Sequence, residues 1–150
     1  IRKEINMPNR LLKYIVDEQE LITAEPDATA AHIAKQMTEN KIGSVLILER
    51  GYLVGIVTER DLVGKVIAAG KSPSHIHAKN IMTHNPMTIE ADKQFSHALH
   101  IMDDNGFRHL PVTNNGQLIG IVSARDALSL DLKQFEMDNI QKEHIFEVIA

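Results

Sequence analysis

Thr58 and Asp61, in the stretch GIVTERD at residues 55–61, pair a hydroxyl with a carboxylate three positions on. Ser123 and Asp126, in GIVSARD at residues 120–126, repeat the pair 65 positions later. Two chemistries suit such a pair. One is local: at a strand-to-helix junction the hydroxyl accepts from the third helical N–H and the carboxylate reaches back to the first, a cap that stabilises by about 1 kcal/mol. The other is a ligand grip. A carboxylate offers two acceptor oxygens to the 2′,3′-diol of a ribose, and the free N–H groups of a helix start attract phosphate. Gly55 and Gly120 precede the apolar pairs, where a missing Cβ lets another group approach the backbone. Either a structural unit is duplicated or the chain holds two ligands, and the recurrence of the whole set favours binding.

The elements that must hold these pairs form a repeat. Residues 22–63 align with 87–128 without a gap, and 13 of the 42 pairs are identical, among them His32/His97, Met37/Met102, Gly55/Gly120 and Arg60/Arg125. Two copies are too few for a solenoid, so they are expected to pack face to face about a pseudo-two-fold axis. In each copy a helical stripe comes first: Ala30, Ile33, Ala34 and Met37 after an Asp27 suited to an N-cap, and Phe95, Ala98, Leu99 and Met102 closed by Asn105-Gly106. An apolar run follows (GSVLIL or RHLPVT), then a turn (ERGY or NNGQ), then LVGIV or LIGIV, β-branched and strand-like. The class is α/β (α+β), each unit reading strand, helix, strand, hairpin turn, strand, helix. Residues 9–68 and 80–130 are the expected repeats and the Gly-, Pro- and Ser-containing 69–79 the linker. A C-terminal helix over 131–150, with Leu132, Phe135, Asn139, Lys142 and Phe146 near helical spacing, is expected to cover a core edge or meet a second subunit.

Composition narrows the function classes. With 43% hydrophobic and 24% charged residues the chain is a soluble globular protein, long enough for one ordinary core. A net charge of −4 steers it away from nucleic acid, and the absence of cysteine fits a reducing, cytoplasmic setting. No signal peptide and no membrane span are expected, the longest apolar runs being far short of the roughly 20 residues a span needs. Eight histidines, including His75-x-His77 and His97-x-x-His100, show no recognised metal spacing, so no metal site is expected. Nor does a nucleophile–base pattern appear, so no catalysis is expected.

With these motifs in place the chain resembles the CBS domain, named after cystathionine β-synthase, and its tandem copies resemble a Bateman module. The G-h-h-[ST]-x-x-D element carries the resemblance, with NIMTHNPMTIEAD at residues 80–92 as a repeat opening and FRHLPV at 107–112 as a middle strand. The resemblance covers roughly residues 11–130. It implies two β-α-β-β-α CBS repeats forming a regulatory module without chemistry of its own. It further implies adenosine-containing ligands (AMP favoured, with ADP, ATP, NAD or S-adenosylmethionine as further members), a homodimer, and a regulated enzyme or transporter as partner.

The resemblance also places two clefts, each joining the [ST]-x-x-D of one repeat to the opening and middle strands of the other. Cleft one takes Thr58, Asp61, Thr83, Pro86, Met87, Phe107, Arg108, His109 and Pro111. Cleft two takes Leu21, Ile22, Thr23, Ile42, Gly43, Ser44, Leu46, Ser123 and Asp126. Arg108-His109 is replaced in copy one by Gly43-Ser44, and Thr83 and Pro86 are matched by Glu18 and Leu21. Cleft two is therefore expected to lack a cation and to face Asp17, Glu18 and Glu20, and nucleotide to fill cleft one first. The alternative is a ligand-free interaction scaffold in which the hydroxyl–carboxylate pairs are caps only.

Overall fold

The computed structural model describes residues 9–128 and 136–142. The first repeat contains β1 (Thr23–Ala24), α2 (Ala30–Asn40), β2 (Ser44–Glu49), β3 (Tyr52–Thr58) and α3 (Glu59–Asp61), which runs on as a π-helical turn over Leu62–Ile67. It is preceded by α1 (Leu12–Ile15). The second opens with α4 (Ala78–Ile81) and β4 (Thr83–His84), then β5 (Ile89–Glu90), α5 (Phe95–Asn105), β6 (His109–Asn114) and β7 (Gln117–Ser123). Residues 124–128 and 136–142 are helical; Leu132, Phe135 and Phe146 of the expected C-terminal helix lie outside the described residues.

Each repeat builds one small sheet, β1-β2-β3 and β5-β6-β7, with a parallel first pair and an antiparallel hairpin, and β4 of the second repeat's opening adds to the first sheet beside β3. The hairpins are superimposable in plan. Both turn on two residues of positive φ, Arg50-Gly51 (51° and 81°) and Asn115-Gly116 (52° and 79°), as the twist of a tight hairpin demands. Both bulge at the same step, Ile47/Leu48 and Val112/Thr113.

The helical stripes are buried as their spacing predicts: Ala30, Ile33 and Met37 on α2, Phe95, Ala98 and Met102 on α5. Two details differ. The N-cap of α2 is Thr29, whose hydroxyl accepts from His32 N–H at 3.1 Å, because Asp27 lies outside the helix and pairs instead with Lys79 at 2.7 Å. Both helices end in the left-handed region, at Gly106 with φ 71° but at Lys41 with φ 53°.

The repeats exchange their opening helices. Leu12 and Val16 lie in one apolar cluster with Phe95, Met102, Leu110, Val112 and Val122, whereas Ala78, Ile81 and Met82 lie in the other with Ile33, Met37, Val45, Ile47 and Val57. Backbone bonds fix the exchange: Leu12 and Lys13 donate to the carbonyls of Lys93 and Ala91, and Ala78 and Lys79 to those of Ala28 and Pro26. Ala78, inside the stretch read as linker, is fully buried. Separating the halves would open both cores at once.

Candidate functional site

Gly55 and Gly120 explain themselves first. A Cβ on Gly55 would overlap Met82 Sδ and lie 2.8 Å from its Cγ, and one on Gly120 would lie 2.5 Å from Val16 Cβ and 2.9 Å from Gln19 Oε1. The groups that approach these glycines are thus side chains of the opening segments, not a ligand. Val16 and Met82 stand 66 positions apart, where the rest of the repeat keeps 65. The expected match of Thr83 to Glu18 and Pro86 to Leu21 therefore slips by one, to Asp17 and Glu20. The two segments also pair differently with the sheet. Thr83 and His84 add a strand beside Ile56 and Gly55. In the other repeat the side-chain amide of Gln19 does this work, donating to the Ile121 carbonyl at 3.0 Å and accepting from Ile121 N–H at 2.7 Å.

Both hydroxyl–carboxylate pairs are caps. Asp61 Oδ2 accepts from Thr58 N–H at 2.9 Å and from its hydroxyl at 3.2 Å, and Asp126 Oδ2 accepts from Ser123 N–H at 2.7 Å. They differ in the second oxygen. Asp61 Oδ1 is held by Lys65 Nζ at 2.9 Å, the same ammonium donating to the Ile81 carbonyl at 2.8 Å, and Asp61 is only 8% exposed. Asp126 is half-buried and has no ion-pair partner among the described residues.

Of the cleft-two residues, Leu21, Ile22, Ile42, Gly43, Ser44, Leu46, Ser123 and Asp126 line one cavity of about 650 Å³; Thr23, paired with Leu46 in the sheet, does not. The cavity is not short of cations. Lys41, Arg108 and Arg125 line it beside His109, and of the acidic stretch expected to repel phosphate only Glu20 does, joined by Glu59. Of the cleft-one residues, Thr58, Phe107, Arg108 and His109 line a cavity of about 730 Å³ completed by Gly43, Glu59, Arg60, Leu99, Met102, Asp103, Gly106 and Ala124. Asp61, Thr83, Pro86, Met87 and Pro111 are not on its wall. Thr83 and Met87 are exposed, Pro86 is half-buried, and Pro111 is buried within β6 opposite Ile121.

Among the described residues Arg108 forms no ion pair with Asp103 or Asp104, although it shares a wall with Asp103. His109 packs over Gly43, its Nε2 3.3 Å from where a Cβ would stand. Burial holds its pKa below the ordinary histidine range, helped by Arg108 and Arg125 and opposed by Glu59 and Asp126. Sequence reasoning missed Lys41, Glu59 and Arg125 on the cleft-two wall. The identity of Arg60 and Arg125 across the repeat was the one signal that pointed to any of them.

The CBS-domain family model matches residues 14–68 and 78–133, and the chain belongs to that family. It carries a CBS domain pair, a kind of module that is generally regulatory and ligand-binding. The chain is 43% identical over 118 residues to the uncharacterized protein MK0525 of Methanopyrus kandleri, covering 77% of this chain and 60% of that one. It is 33% identical over 107 residues to the mitochondrial CBS domain-containing protein CBSX3 of Arabidopsis thaliana, covering 68% and 52%. The chain thus spans between half and three fifths of these relatives' lengths. Among solved structures it resembles the CBS-domain containing protein ATU1752 of Agrobacterium tumefaciens (TM-score 0.75, 30% identity, 81% and 99% covered). It also resembles a hexameric CBS-CP12 protein of bloom-forming cyanobacteria (TM-score 0.70, 28% identity, 76% and 67% covered). No helix among the described residues is long and apolar enough to cross a membrane.

Proposed function

We propose that this CBS pair is a regulatory sensor that binds an adenosine nucleotide in the 650 Å³ cavity. The observation that supports this is the convergence on one wall of an apolar surface, a carboxylate with a spare oxygen and a group of cations. Ile22, Ile42 and Leu46 offer a face for the base. Asp126 keeps one oxygen for the ribose diol, and Arg108, Lys41 and Arg125 meet phosphate with charge-assisted bonds. AMP is the smallest ligand that uses all three; ADP, ATP, NAD and S-adenosylmethionine share its adenosine.

This reverses the order of clefts expected from the sequence. Thr58 and Asp61 serve the fold, because both Asp61 oxygens are already engaged, one by the Thr58 N–H and hydroxyl and the other by Lys65. Thr83 and Pro111 lie within β4 and β6, and Pro86 and Met87 in the segment between β4 and β5. The ligand acts by differential affinity for two arrangements of the repeats, read out by an enzyme or transporter partner in the cytoplasm. A homodimer fits the exposed apolar Val63, Ile67 and Leu128 at the repeat ends.

A thermal-shift panel tests the reading. AMP at 100 times Kd is expected to stabilise the protein by about 2.7 kcal/mol. Asp126→Ala is expected to abolish that shift, and Asp61→Ala to keep it on a less stable protein. No shift with AMP, ADP, ATP, NAD or S-adenosylmethionine would leave the scaffold reading, in which both pairs are caps only.

A further inference from the structure

Glu59 and Arg108 stand at one edge with opposite charges. Both line the 650 Å³ cavity and the 730 Å³ cavity, yet among the described residues the two form no ion pair with each other or with any other side chain. The Glu59 carboxylate reaches over Gly43. Its carbon and one of its oxygens lie 3.5 Å from the point a Cβ would take there, beside His109 Nε2 at 3.3 Å.

The fold does not ask for this carboxylate. Glu59 follows the Thr58 cap, and Ala124 holds the same place after Ser123. Both residues make the same backbone bond, Glu59 N–H to the Gly43 carbonyl at 3.1 Å and Ala124 N–H to the Arg108 carbonyl at 3.0 Å. Alanine therefore serves the turn as well, and what glutamate adds is a negative charge where the cavities meet. An acid in the first turn also complements the helix dipole, a role that shows in stability and not in the choice of ligand.

The charge falls where a phosphate chain would have to grow. On the 650 Å³ wall Lys41, Arg108 and Arg125 are matched by Glu20, Glu59 and Asp126, so the wall is formally neutral when His109 is neutral. With Asp126 on the ribose, a single phosphate can draw on the cations. A second and third phosphate, extending past Arg108 over Gly43, approach Glu59 and then Asp103, with Arg60 as the added cation on the farther wall. Selectivity needs a repulsive element beside the attractive ones, and Glu59 is placed to supply it.

We infer that Glu59 limits the ligand to a single phosphate, so that the site takes AMP in preference to ADP and ATP. The inference rests on the proposed adenosine site, whose cations it presupposes.

Calorimetric titration with AMP, ADP and ATP in magnesium-free buffer of fixed ionic strength tests it, since magnesium held by the phosphates would mask their charge. In the natural chain affinity is expected to fall with each added phosphate, AMP binding roughly tenfold tighter than ATP. Glu59→Gln keeps the size of the side chain and removes its charge. It is expected to narrow the AMP-to-ATP ratio severalfold, ATP gaining most and AMP least. Glu59→Ala copies the residue of the equivalent turn and gives the same sign, which keeps the test open if the first variant folds poorly. ATP binding to the natural chain as tightly as AMP overturns the inference and leaves the adenosine site standing. So does a ratio that neither variant changes, even where both lose stability, because that is the mark of a helix-dipole role alone. If none of the three ligands binds the natural chain, the proposed function falls and the inference with it.

Discussion

Asp61 and Asp126 occupy the same place in the two repeats, and one residue separates their fates. Four positions after Asp61 the chain carries Lys65, which closes on its free oxygen at 2.9 Å; four positions after Asp126 it carries Leu130. The first carboxylate, 8% exposed and bonded on both oxygens, is a fastening between α3, its π-helical turn and α4. The second keeps the cap bond from Ser123 N–H and leaves an acceptor facing a cavity with four cationic or titratable basic side chains on its wall. A duplicated motif can thus divide its two uses, capping and binding, between its copies.

The largest effects should come from the glycines that seat the opening helices. Gly120→Ala places a methyl against the branched Cβ of Val16, which cannot swing away, and displaces the Gln19 amide from Ile121, and is expected to cost about 3 kcal/mol. Gly55→Ala meets mainly the flexible end of Met82, and about 1–2 kcal/mol is expected. Urea midpoints at constant m-value compare the two. The reverse order would show that the opening segments are not held as differently as Gln19 and β4 suggest.

Asp61 and Asp126 come next. Asp61→Ala loses a buried cap and leaves Lys65 without its carboxylate, about 2 kcal/mol; Asp126→Ala loses a cap alone, about 1 kcal/mol. For AMP affinity the ranking inverts, with Asp126→Ala the damaging change. If Asp61→Ala were the variant that lost AMP, the division of labour between the copies would be wrong.

Much of this was legible in the sequence, and the boundary is physical. The repeat, the hairpin turns at Gly51 and Gly116 and the stripes Ala30-Ile33-Met37 and Phe95-Ala98-Met102 follow from local periodicity and backbone sterics. The grouping of Leu21, Ile22, Ile42, Ser44, Leu46, Ser123 and Asp126 came from the family pattern, and these residues share a cavity wall. What stayed hidden depends on approach in three dimensions. Lys41 and Arg125 are chain neighbours of Ile42 and Asp126, but that their side chains line the same cavity depends on packing, and Arg108 and His109 line both cavities because the β2 and β6 ends meet at Gly43. The one-residue slip of Val16 against Met82 is marked in the sequence only by two identities at the 66-residue spacing, Lys13/Lys79 and Ile15/Ile81, which the gapless 65-residue alignment passes over.

His109 offers a pH test of that meeting point. Burial lowers its pKa in the folded chain, so near pH 6.5 and below the unfolded chain takes up the proton more readily. Its contribution to stability is therefore fully present above the ordinary histidine pKa and is lost as pH falls through it toward the lowered value. His109→Gln is expected to flatten that limb of the stability–pH curve. A phosphate bound beside Arg108 would join Glu59 and Asp126 in drawing the pKa up. AMP binding should thus take up a fraction of a proton and tighten toward acid, measurable as buffer-dependent heats. The part of that uptake lost in His109→Gln belongs to His109, and equal proton exchange in the two proteins would place the phosphate away from His109.

The smallest effect uses a place where the copies differ in backbone chemistry. Lys41 and Gly106 are equivalent residues, both left-handed at a helix C-terminus, with φ of 53° and 71°. Glycine adopts this region without steric penalty and lysine does not. Lys41→Gly removes that strain but frees the unfolded chain as well, so a net gain of only about 0.5 kcal/mol is expected. The natural residue therefore needs another reason, and the cavity supplies one: Lys41 lines cleft two, where its ammonium can reach a bound phosphate. The swap should raise the urea midpoint slightly and weaken AMP several-fold, two changes of opposite sign from one substitution. The mirror change, Gly106→Lys, meets no atom within 4 Å of its Cβ and should show the strain without any loss of AMP affinity. A Lys41→Gly protein that gained stability and bound AMP undiminished would remove Lys41 from the site.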